Sequence, residues 1–153
     1  MIEGVLFTPL RQIEDERGKV MHMLKATDPA FRKFGEIYFS CAWPGAVKAW
    51  HVHRTMTLNL VVVSGRAKFA CCDMRVDSET HQAVERFYLS ESADYGLLTI
   101  PPNVASGYAA WGDKLVIVAN CATEPHDPNE IQYMPWDKLP GTELDFRWLK
   151  PHG

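Results

Sequence analysis

The stretch GAVKAWHVHRTMTLN, residues 45–59, places His51 and His53 two positions apart among apolar neighbours. An imidazole titrates near neutral pH, so it takes and returns protons under physiological conditions, and its neutral form ligates metals. Thr57 and Asn59 follow at the same odd parity. Residues two apart share a face of a strand, so His51, His53, Thr57 and Asn59 form one polar row. Leu58, Leu60 and Val62 fall on the other parity, where they pack into the wall between sheets or against a partner. A polar row that lines a cavity needs water, a ligand or hydrogen-bond partners. Three uses compete for it: metal binding, proton transfer, and simple satisfaction by neighbouring backbone groups.

The elements that must position this row read as strands. Runs rich in Val, Ile, Phe and Tyr recur at short intervals: EGVLFTPL, GKVMHMLKA, GEIYFSCAW, AVKAWHVH, MTLNLVVVSG, RAKFACCDMR, AVERFYLSE, GLLTIPP and DKLVIVANCAT. Ten glycines and ten prolines punctuate them, and turn residues bound most of the runs. One short helical turn is expected in TDPAFRKFG, with Thr27 or Asp28 as cap, Pro29 early and Gly35 at the stop. LVVVSGRAKF reads as a hairpin turning at Ser64-Gly65. Many short strands without a long helix imply an all-β fold, a sandwich or small barrel able to enclose a pocket. The 153 residues suffice for one domain, 1–153, with a sizeable core.

Composition narrows the function classes. The formal charge is −3 with no run of like charges, which argues against nucleic acid or an anionic membrane as partner. No leader and no apolar run of transmembrane length is expected. The four cysteines, Cys41, Cys71, Cys72 and Cys121, lack a C-x-x-C spacing and read as reduced core or strand residues of a cytoplasmic protein.

Gly45, five residues, then His51-x-His53 matches the first half of the cupin metal motif. That motif continues with a glutamate four or five residues on and a histidine on a later strand. Here those slots hold Thr57 or Leu58, and Ser106, while His22, His81 and His126 lie in other segments. Three or four ligands are needed for a metal, so no metal and no other cofactor is expected. Proton transfer by a neutral imidazole is the sharper reading.

At these residues the chain resembles the dTDP-4-dehydrorhamnose 3,5-epimerase family. The resemblance rests on DERG at 15–18, GAVKAWH at 45–51, GRAKFACCDMR at 65–75, LS at 89–90, IPPNVASGY at 100–108 and CATEPHDP at 121–128. It implies a cupin-type jelly roll, a homodimer, and metal-independent action on a nucleotide-linked 4-keto-6-deoxy sugar. It casts His51 as the base, with Asp137 as the carboxylate that orients it and Asp145 as the alternative. Arg17 and Lys48 match basic positions used on the diphosphate, with Lys48 where an arginine is usual. Arg75, two after Asp73, adds charge or is structural. Asn120 stands where the family has the tyrosine that serves as opposite-face acid, and Ser106 replaces its second histidine; its active-site lysine has no counterpart in HRTMTLN. Tyr38, Tyr108 or His53 then takes the acid role. Val20 and His22 occupy the positions that contact the nucleobase. His53, Asn59 and Tyr108 complete the expected binding surface. Two other functions remain open on this scaffold: a sugar-nucleotide ketoisomerase, and a silent sugar-nucleotide-binding protein.

Overall fold

In the computed structural model, which describes residues 1–135, Lys138, Leu139 and the backbone of Lys150 and Pro151, the β-type runs become short strands. They are β1 (Leu6–Pro9), β2 (Gln12–Asp15), β3 (Gly18–Met21), β4 (Glu36–Ala42), β5 (Ala46–His53), β6 (Leu58–Ser64) and β7 (Arg66–Asp73). There follow β8 (Val84–Ser90), β9 (Gly96–Ile100), β10 (Val104–Ala110), β11 (Val116–Ala122), β12 (Ile131–Tyr133) and β13 (Lys150–Pro151). One sheet runs β1-β9-β6-β11-β4 and the other β12-β5-β10-β7-β8, with β13 also against β5. The hairpin β2–β3 is a separate two-stranded ribbon. This is an all-β sandwich of the cupin jelly-roll type. Among the described residues there is no helix.

Apolar side chains from the two sheets meet in the interior: Leu58, Leu60, Val62, Leu98, Ile100 and Val118 from one, Phe69, Cys71, Leu89, Val104 and Tyr108 from the other. Each such large side chain contributes about 1.5–3 kcal/mol when fully buried. Cys71 belongs to this core and Cys72 to the cluster on the outer face of its sheet, around Trp50. Adjacent strand residues point to opposite faces, as their succession requires.

Three sequence expectations change here. The helical turn at 27–35 is a pair of successive turns instead. The carboxylate of Asp28 accepts from the backbone N–H of Lys25 at 2.7 Å, and Phe31 N–H bonds to Asp28 O at 3.0 Å. That side-chain bond competes with helix nucleation, as Asp does outside caps. Ser64-Gly65 is not a hairpin turn. β6 pairs with β9 and β11, whereas β7 pairs with β10 and β8, so the chain crosses between sheets there. Gly65 has φ +79°, and a Cβ on it would lie 2.7 Å from Leu115 O, so the corner requires glycine.

The third change concerns the polar row. Leu58, Leu60 and Val62 face the space between the sheets, and Asn59 lies on the opposite face of β6. The alternation restarts because Arg54–Met56 leave β5 and fold around the side chain of Glu130 before β6 begins. Asn59 is satisfied there: its Nδ2 donates to Cys121 O at 3.0 Å, and Thr99 Oγ1 donates to its Oδ1 at 3.1 Å.

Candidate active site

Two adjoining cavities between the sheets, of about 80 and 370 Å³, share Tyr38, Ser40, His51 and His53 in their walls. The histidines come from β5 and the tyrosine and serine from β4, so the two walls belong to opposite sheets.

The β5 wall depends on a bulge. Ser106 of β10 stands opposite His51, and Tyr108 stands opposite Lys48, so β10 advances two residues while β5 advances three. Such an insertion resets the alternation of side chains. Lys48 and His51, of opposite parity, therefore line the same cavity. The strands come very close at this point: a Cβ on Gly107 would sit 2.3 Å from that of Ala49, which only glycine accommodates.

The groups on this wall differ in environment. Burial lowers the pKa of His51 to about 4, with the neighbouring His53 and Lys48 acting in the same direction. Its ring meets Tyr133 of β12 edge-on, with centroids 5.2 Å apart. His51 is thus held neutral, the form that accepts a proton. His53 Nδ1 is hydrogen-bonded to Glu130 Oε1, and both residues are buried. Burial opposes ionisation of Glu130, but the bonds from His53 and from the N–H groups of Thr55 and Met56 outweigh it, leaving its pKa below the ordinary value. Lys48 Nζ donates to Ser40 Oγ at 2.8 Å and to Cys41 O at 3.2 Å.

The opposite wall carries the phenol. Asn120 of β11 is in register with Tyr38 of β4. Its Oδ1 accepts from Asn59 N–H at 3.0 Å and its Nδ2 donates to Tyr38 Oη at 2.9 Å. Because the phenol oxygen accepts this bond, its own O–H is left to donate to something else. Burial raises the pKa of Tyr38, against the opposing effect of the Asn120 bond. Tyr108, on β10, shares a 2.7 Å hydrogen bond with Ser40 Oγ, and burial pushes it up to about 12.

The structure therefore brings together His51, His53, Lys48, Tyr38, Tyr108 and Asn120. It does not bring in Asn59, for the reason given above. Arg75 is taken up by Asp73, with bonds of 2.8 Å to both carboxylate oxygens, and by Glu3 O at 2.7 Å, on the loop after β7. His22 lines a different cavity, with Arg11 and Lys25, on the far face of the β1-containing sheet. Arg17 projects from the tip of the β2–β3 ribbon, its side chain 82% exposed and paired with Asp15. Asp137 and Asp145 lie outside the described residues. Among the described residues no group of three His, Cys, Asp or Glu side chains converges as metal ligands do. Sequence reasoning missed Glu130, Ser40 and Tyr133. Glu130 carried no signal in the sequence; it is the fold that sets it just before a strand whose Ile131 pairs with His53.

A cupin-type sandwich with two imidazoles on one wall of its inter-sheet cavity and a phenol on the other fits the class of nucleotide-sugar epimerases. The model of the dTDP-4-dehydrorhamnose 3,5-epimerase family matches residues 1–151, and the chain belongs to that family. Among solved structures, it is similar to a dTDP sugar isomerase from Desulfovibrio desulfuricans G20, at 41% identity over 91% of this chain and 90% of that one, with a TM-score of 0.89. A dTDP-4-dehydrorhamnose 3,5-epimerase from Sulfolobus tokodaii, 24% identical over 92% and 84% of the two chains, shares the fold with a TM-score of 0.80. The spore coat polysaccharide biosynthesis protein SpsL of Bacillus subtilis (strain 168) is 28% identical over 150 residues, 97% of either chain.

Proposed function

We propose that this protein inverts a carbon beside the ketone of a nucleotide-linked 4-keto-6-deoxy sugar, with His51 as base and Tyr38 as acid. Hydrogen on a carbon next to a ketone is acidic because its loss gives an enolate. Inversion requires removal from one face and return to the other. The single observation that carries the reading is that His51 and Tyr38 enter one cavity from opposite sheets. Neutral His51 takes the proton, the enolate forms, and Tyr38 O–H delivers a proton to the other face. The imidazolium then gives its proton to solvent and the phenolate takes one from it, so the enzyme returns to its starting state. Asn120 orients the phenol from the strand position paired with it. That arrangement moves the acid one strand over from its expected place on β11. Asp137, with Asp145 as alternative, remains the proposed partner of His51.

Lys48, at the larger cavity, supplies positive charge for the diphosphate. Arg17 stands away from this cavity in its own chain, so its role on the diphosphate needs a second copy. We take the assembly to be a homodimer. Ile37 and Phe39 are exposed on the edge strand β4, Trp43 just beyond its end, and Ile13 and Val20 on the β2–β3 ribbon, a combination that leaves sheet edges open to pairing. No helix of the described residues is long and apolar enough to cross a membrane. The four cysteines are free, in keeping with a cytoplasmic enzyme.

The test is incubation in heavy water with a panel of nucleoside-diphosphate 4-keto-6-deoxy sugars, read by mass. The wild-type protein labels its substrate beside the ketone, and His51→Asn loses that label at one flanking carbon or both. Tight binding without any label would make the protein a binding module.

A further inference from the structure

The His53–Glu130 pair is left unused by a mechanism that needs one base and one acid. It is nonetheless built as a proton-transfer unit. The Nδ1 edge of the ring is held by a carboxylate that keeps its charge, and that carboxylate is itself fixed by the N–H groups of Arg54 at 3.0 Å, Thr55 at 3.1 Å and Met56 at 3.4 Å, and by Thr55 Oγ1 at 3.3 Å. A carboxylate on Nδ1–H fixes the tautomer in which Nε2 carries the lone pair, and it steadies the imidazolium that forms when a proton arrives. His53 lines both cavities, as His51 does. The two rings leave β5 on one face, two residues apart, which separates their Cβ atoms by about 7 Å.

We propose that His53, buttressed by Glu130, is a second base of the site, so that the two carbons flanking the ketone are each deprotonated by a different imidazole. This rests on the epimerase reading. A ring ketone at position 4 has two neighbours, carbons 3 and 5. In a gluco-configured ring the hydrogens on both are axial and lie on the same face. Two bases side by side on one wall suit that pair of hydrogens, and one phenol on the other wall faces both carbons. The steps balance at each carbon. The C–H electron pair moves into the enolate, the proton passes to the imidazole, and Tyr38 supplies the proton that forms the new C–H bond. Solvent then restores the phenol and removes the proton from the ring, with no net oxidation.

The experiment is site-resolved deuterium incorporation, followed by proton NMR in heavy water, with a gluco-configured nucleoside-diphosphate 4-keto-6-deoxy sugar. Wild type, His51→Asn, His53→Asn, His53→Gln and Glu130→Gln are compared, with thermal melts to confirm folding. The ratio of labelling at the two flanking carbons should shift about 100-fold in His53→Asn and His53→Gln, and in the opposite sense in His51→Asn. Glu130→Gln, which keeps shape and removes charge, should shift the ratio in the same sense as the His53 variants by about 10-fold, chiefly through kcat rather than KM. A purely structural role for the pair would lower the melting temperature and leave the ratio unchanged. An unchanged ratio in all His53 and Glu130 variants, or loss of label at both carbons together, overturns the inference while leaving the epimerase reading intact. Transposition of the ketone in the wild type, or no label at either carbon, overturns the epimerase reading and this inference with it.

Discussion

Replacing Tyr38 with phenylalanine removes a single oxygen and should separate two events that the wild-type protein couples. The base on the β5 wall can still take a proton and return a deuteron to the same face, so labelling continues. Inversion has lost its donor. General acid catalysis is worth at least about 100-fold, so inversion should fall by that factor, equivalent to about 2.7 kcal/mol in the barrier. Stability should also fall, because Asn120 is fully buried and its Nδ2 loses the phenol oxygen that now accepts from it at 2.9 Å. An unsatisfied buried donor costs about 1–3 kcal/mol, which for a chain of this size lowers Tm by roughly 2–4 °C per kcal/mol. The assay is NMR in heavy water, which follows loss of the proton signal and appearance of the inverted isomer in one sample. The expected result is a label-to-inversion ratio raised about 100-fold, with a modest drop in Tm. If inversion proceeds at the wild-type rate, or labelling and inversion fall by the same factor, the phenol is not the acid on that face.

Other outcomes follow from the same geometry. Lys48→Ala should weaken nucleotide-sugar binding several-fold at low salt, with the difference shrinking as ionic strength rises, as titration calorimetry at two salt concentrations would show. Arg75→Ala should cost about 2–4 kcal/mol of stability by leaving the buried Asp73 carboxylate without its cation, read as a fall in denaturant midpoint. His51 should make the fold acid-sensitive. Its folded pKa of about 4 lies below the ordinary 6.5, so as pH falls through 6.5 the unfolded chain takes up a proton that the folded chain refuses, and stability is lost down to about pH 4. The loss reaches about 2 kcal/mol between pH 7 and pH 5, and His51→Asn should show a correspondingly flatter melting profile across that range.

Strand β5 was legible to the residue, because AVKAWHVH is β-rich and bounded by glycine on one side and the turn at Arg54 on the other. The partners of a strand were not. A Ser-Gly step serves a hairpin and a corner equally well, and only the long-range pairing of β6 with β9 and β11 distinguishes them. The polar row failed at Asn59 for a similar reason: the phase of alternation is lost wherever the chain leaves a sheet, and Arg54–Met56 leave it to wrap Glu130. Lys48, offered by the resemblance, shares a cavity with His51 through a bulge that the sequence marks only as Gly107, on the neighbouring strand. The histidines were legible because imidazoles two apart on a strand share a face, and Tyr38 only through the family resemblance, which offered it for the acid role. Glu130 was not, since a glutamate in a loop looks like surface until the fold sets it beside His53.

Epimerisation between the β5 and β4 walls is tested most directly by the configuration of the carbon that acquires deuterium. Wild-type protein is incubated in heavy water with a nucleoside-diphosphate 4-keto-6-deoxy sugar, and the ring couplings of the labelled product are read by NMR. Delivery of the deuteron to the face opposite the one deprotonated predicts label on a carbon of inverted configuration. Label accompanied only by the starting configuration, or a ketone moved to the neighbouring carbon, would contradict it.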